Sequence, residues 1–73
     1  MHNGTIKLFD VVALLEERPQ DGLARGQVGT VVEVHSPEAF EAEFLDSQGR
    51  TIALVTVRRS ELLVLRHEPA TAA

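Results

Sequence analysis

The stretch Val28-Gly29-Thr30-Val31-Val32-Glu33-Val34 holds four valines and a threonine. Side chains branched at Cβ are stiff and fit a pleated surface, so the run predicts a strand. Similar short apolar runs recur at residues 9–15, 40–45, 51–57 and 62–65. Between the first and second runs, residues 16–26 carry a proline and two glycines, which marks a long excursion rather than a tight turn. Asp46-Ser47-Gln48-Gly49 reads as a turn, and so does Arg58-Arg59-Ser60-Glu61-Leu62 before the last run. Five short strands follow from this punctuation.

Residues 36–49 also carry a helical pattern. Ser36 is a candidate cap, Pro37 stands at the first position, Gly49 is a candidate stop, and Phe40 and Phe44 share a helical face. Strand pairing offers a competing account. If the turn at 46–49 closes a hairpin, Phe44 faces Thr51, Ala42 faces Ala53 and Phe40 faces Val55. If residues 35–39 form a second loop, Val34 faces Phe40, Val32 faces Ala42 and Thr30 faces Phe44. Both registers put one apolar set on a single face, as strand alternation requires. The expectation is therefore strand. The opposite, outer face then carries Val31, Glu33, Glu41, Glu43, Leu45, Ile52 and Leu54.

The chain has 73 residues and no cysteine, so it is one small domain without disulfides or thiolate metal ligands. A chain of this size buries only about 60% of the surface its unfolded form exposes, which favours covering apolar surface with a partner. Residues 6–66 are expected to form the domain, with residues 1–5 and 67–73 as loose ends. Apolar runs are far too short to span a bilayer, and the first ten residues lack a signal-peptide core. A cytoplasmic protein is expected.

The layout resembles an SH3-like barrel: all-β, five-stranded, with a long first loop and a short 3-10 turn before the last strand. Arg25-Gly26-Gln27-Val28-Gly29-Thr30-Val31-Val32-Glu33-Val34 is similar to the glycine-punctuated strand of KOW-type modules. Over residues 6–65 the order Ile6 to Leu14, Gly22-Leu23, Gly26 to Val34, Phe40-Glu41, Glu43-Phe44 and Thr51-Ile52-Ala53 looks like a family of short bacterial proteins, domain of unknown function 4926. That resemblance implies a small bacterial barrel and brings no assigned activity. A fainter likeness, through the arginine-glycine strand and Ser60-Glu61-Leu62, is to the SH3-like domain of the nitrile hydratase β subunit and its activators. Nothing catalytic carries over from it, because the metal-binding cysteines of that enzyme belong to its other subunit.

No spacing brings together a nucleophile, a base and an orienting acid. The histidines are His2, His35 and His67, two of them in the expected loose ends, and His35-Ser36 with Glu38 is a turn composition. Neither a catalytic set, a cofactor site nor a metal site is expected. The net charge of −4 opposes the basic excess usual in nucleic-acid modules, and there is no Trp or Tyr for base stacking. Arg58, Arg59 and Arg66 remain a candidate basic patch.

The expectation is a non-enzymatic interaction or accessory module. Its candidate docking surface is the outer-face set Val31, Glu33, Glu41, Glu43, Ile52 and Leu54, offered to a protein partner or a second copy. A KOW-type nucleic-acid contact through the arginines is the alternative. A third is an antitoxin-like or chaperone-like cover for the product of a neighbouring gene.

Overall fold

The computed structural model describes residues 5–65. Arg66 of the candidate basic patch, His2, His67 and all of the expected loose ends except Thr5 lie outside the described residues. Five antiparallel strands form one sheet: β1 (Val11–Leu14), β2 (Val28–Ser36), β3 (Ala39–Leu45), β4 (Thr51–Arg58) and β5 (Leu62–Val64), in the order β4-β3-β2-β1-β5. Two 3-10 turns, Pro19–Asp21 and Arg59–Glu61, are the helical elements among the described residues. The all-β class, the five strands and the 3-10 turn before the last strand are as the sequence predicts. No ladder joins β4 to β5, so the sheet curls over its core without closing into a hydrogen-bonded barrel.

Residues 39–45 are strand, not helix, because the alternation serves the core. Phe40, Ala42 and Phe44 are fully buried while Glu41 and Glu43 point away. Val12, Leu14, Val31, Val57, Leu62 and Val64 pack with them, joined by Ile6 and by Leu23 from the long loop. That loop is a built element. Gly22 takes a left-handed φ of 71° to end its 3-10 turn, an isolated bridge pairs Arg18 with Leu23, and Leu23 drops into the core.

Two expected registers are corrected. The β3–β4 ladder pairs Phe44 with Ala53, Ala42 with Val55 and Phe40 with Val57, each two residues along from expectation. An even displacement preserves the face, so the inward set keeps its parity. The β2–β3 loop is also shorter than expected: Ser36 pairs with Ala39, leaving Pro37-Glu38 as the turn. Val34 does face Phe40 there, but a register shift between Val31 and Glu33 moves the rest of β2 by one. Val31 therefore pairs with Ala42, and Gly29 with Phe44. An odd displacement reverses the face, and Val31, expected outside, is fully buried.

Gly29 answers for its residue type by proximity. A Cβ built there would lie 2.6 Å from Cδ1 of Phe44 and 2.7 Å from the carbonyl oxygen of Glu43. No larger side chain fits between the two strands at that point.

Candidate functional site

The outer face of β2, β3 and β4 follows from the alternation. Glu33 sits directly opposite Glu41, as the sequence predicts, and like charges so placed repel. His35 sits beside both: its Nε2 is 3.2 Å from Oε1 of Glu41 and its Nδ1 is 3.8 Å from Oε2 of Glu33. On the other flank, the Thr56 hydroxyl donates to Glu41 Oε1 at 2.8 Å. The Thr56 hydrogen bond and then the His35 contact hold the Glu41 carboxyl below its ordinary pKa. Glu43 faces Leu54 across the strands and accepts from the Thr51 hydroxyl at 2.6 Å.

Apolar side chains stand beside these ordered carboxylates. Leu54 is 56% and Ile52 41% exposed, on the face where alternation calls for polar residues. Of the six residues predicted for the docking surface, the structure brings together Glu33, Glu41, Glu43, Ile52 and Leu54, and removes Val31 to the core. The apolar surface also reaches further than predicted. Leu45 at the end of β3, expected on this face, is exposed, and so are Val28 on β2 and Val11 on β1, which were not expected there. Val28 lies opposite Ala13 and Val11 opposite Thr30, so this extension crosses onto β1. Its signal in the sequence was the uninterrupted apolar character of residues 11–14, where a half-exposed strand should alternate.

One of the basic candidates, Arg58, meets a carboxylate through its backbone. Glu61 accepts from the Arg58 backbone N–H at 2.7 Å through one oxygen and from Arg18 Nη1 at 3.1 Å through the other. Arg18 also reaches Asp21 at 2.9 Å, so the long loop is tied by charge to the turn that carries Arg59. An open depression beside the loop is lined by Leu15, Glu16, Glu17 and Arg25. Among the described residues no group of three or more His, Asp or Glu side chains is disposed to hold a metal ion.

A family model described as a domain of unknown function (DUF4926) matches residues 8–64. The chain belongs to the DUF4926 family. The match runs from the residues before β1 to the end of β5, so the whole sheet, the tied loop and the outer face lie within the DUF4926 domain. No curated protein and no solved structure matches the chain. Among the described residues no helix is long and apolar enough to cross a membrane.

One feature of the domain escaped sequence reading. Phe9 has a left-handed φ of 70° and is 69% exposed. Its N–H bonds Val31 O at 2.7 Å, Val31 N–H bonds Asp10 O at 2.9 Å, and Asp10 N–H bonds Lys7 O at 3.0 Å. This is the hydrogen-bond pattern of a bulge whose first position normally holds glycine. With phenylalanine there, nothing in the sequence announces it.

Proposed function

We propose that this DUF4926 chain is a non-enzymatic protein-interaction module that docks a partner on the outer face of β3 and β4. The observation carrying this reading is the placement of exposed Leu54 and Ile52 beside Glu43, with Glu41 held by Thr56 and Glu33 opposite it. Fully burying a leucine or isoleucine side chain is worth about 1.5–3 kcal/mol, and roughly half of that surface is still open here. Carboxylates held by Thr56, Thr51 and His35 are already oriented, so they steer and register a partner at little further ordering cost. The matching partner surface is apolar with lysine or arginine at its margin. Two copies stacked on this face would oppose their own carboxylates, so the partner is a different, basic protein.

The test is affinity capture from the host lysate by the wild-type chain and by an Ile52→Lys/Leu54→Lys variant, each with and without nuclease. A defined protein held by the wild type after nuclease and lost by the variant supports the reading. Identical captures by both chains contradict it. Recovery that disappears with nuclease would transfer the function to the arginines and to nucleic acid, and such binding should fall steeply with salt.

A further inference from the structure

We propose that the free edge of β4 pairs with β4 of a second copy, antiparallel about a two-fold axis. Among the described residues β4 is one end of the sheet and pairs with β3 on one side only. It is eight residues long, and from Thr51 to Val57 it holds no charged residue, proline or glycine. Proteins commonly protect sheet edges with lysine, proline, bulges or very short strands, since an open ladder recruits another strand. The opposite edge, β5, follows that practice at three residues. β4 carries one irregularity, at Ile52 between Thr51 opposite Leu45 and Ala53 opposite Phe44, and is regular from Ala53 to Arg58.

The core also thins toward this edge. Val57, opposite Phe40, is buried, yet Ala53 and Val55, the β4 partners of the fully buried Phe44 and Ala42, are only partly covered. An added strand would cover them and occupy the open backbone donors and acceptors together.

Charge selects a second copy as the occupant. An uncharged run placed against itself brings no like charges together, in contrast to the acidic outer face. Among the registers that overlap the strands most fully, pairing about Leu54 would oppose Arg58 to Arg50 of the second copy. Pairing about Val55 avoids this: Leu54 faces Thr56, Ala53 faces Val57, and Ile52 faces Arg58 of the second copy, whose stem covers apolar surface. In this geometry both outer faces lie on one side of a continuous sheet. Ile52 and Leu54 of the two copies form one apolar strip, so each copy contributes residues to the other's docking surface. The pairing stands on the edge and the core, and does not require the partner proposed above.

The experiment uses the full chain alone. Sedimentation equilibrium over a hundredfold range of concentration should show mass rising from one protomer to two. Because the protein has no cysteine, engineered thiols report pairing without background. Mixed Leu54→Cys and Thr56→Cys chains should form a disulfide dimer under mild oxidation, while Glu33→Cys, on β2, should remain uncrosslinked. A chain that sediments as one protomer at every concentration overturns the proposal. So does a dimer that crosslinks through Glu33→Cys and not through β4. Both outcomes are read without any partner, so they leave the docking reading to its own test.

Discussion

Gly29 and the ring of Phe44 occupy one space: a Cβ on Gly29 would sit 2.6 Å from Cδ1 and 2.7 Å from Cε1 of that ring. The two residues are register partners on β2 and β3, and the missing side chain on one strand makes room for the large one on the other. Glycine within a strand ordinarily weakens it. Here it leaves room for the fully buried ring of Phe44.

Gly29→Ala should therefore destabilise the domain by about 1–3 kcal/mol, the usual cost of overpacking a filled core. Ring displacement alone does not relieve it, because the Glu43 carbonyl oxygen is also 2.7 Å from the new methyl group. Urea unfolding at constant m-value measures the change. A loss under about 0.5 kcal/mol, the range typical of neutral surface substitutions, would show that the strands part without strain.

Val31 and Leu54, both expected on the outer face, part company: Val31 is buried and Leu54 is exposed. Val31→Lys puts an unpaired charge into the fully buried core and should abolish the folded spectrum. Leu54→Lys, at a position 56% exposed, should leave it intact and stability within about 1 kcal/mol. Amide proton–nitrogen correlation spectra of the two variants decide this. A folded Val31→Lys chain would mean that β2 runs without its register shift.

That contrast shows what was legible. Strand positions, both hairpins and the inward phenylalanines follow from apolar runs and turn residues, and the β3–β4 error was harmless because it was even. The shift on β2 falls among Val31, Val32 and Glu33, with no glycine or proline to announce it. It is a relation between β2 and β3 that no local window contains. For the candidate face, the carboxylates and the β4 residues were visible in alternation. Their anchoring by Thr56, Thr51 and His35 required the actual register. The Phe9 bulge was hidden for a plainer reason: the residue occupying the glycine position is not glycine.

Phe9 invites its own measurement. A left-handed conformation costs a residue with a side chain about 1–2 kcal/mol. Glycine removes that cost but loses roughly 0.5–1 kcal/mol through its freer unfolded chain. With the ring 69% exposed, little packing is forfeited, so Phe9→Gly should be neutral or stabilising by up to about 1 kcal/mol. Destabilisation beyond 1 kcal/mol in urea would mean that the ring packs more firmly than its exposure indicates.

Glu61 joins two distant parts of the chain, and its removal should be felt in both. Glu61→Ala loses the bond from the Arg58 N–H and the contact with Arg18, for a combined cost of roughly 1–2 kcal/mol. Arg18→Ala should cost less, because the Arg58 N–H keeps its partner. In hydrogen exchange, Glu61→Ala should speed exchange of the Arg58 amide, and both variants should loosen the Arg18–Leu23 bridge. Unchanged exchange at Leu23 in both would show that the long loop is held by its apolar side chain alone.

Acid should weaken the fold through two carboxylates. The Thr56 hydroxyl, followed by His35, lowers the pKa of Glu41; the Arg50 backbone N–H, aided by the Gln48 N–H and the Arg50 side chain, lowers that of Asp46. A group with a lower pKa folded than unfolded contributes fully above its unfolded value, and that contribution is lost as pH falls through the folded one. Stability should thus hold from neutrality to about pH 5 and decline below it, as the ordinary carboxylate range near 4 is crossed. Carbon-detected carboxyl titration separates the two sites. Thr56→Val keeps the β-branched shape but removes the donor, so the Glu41 pKa should rise toward its ordinary value while that of Asp46 stays where it was. If Glu41 does not move, Thr56 does not hold that carboxylate, and the preset geometry of the acidic face loses its main support.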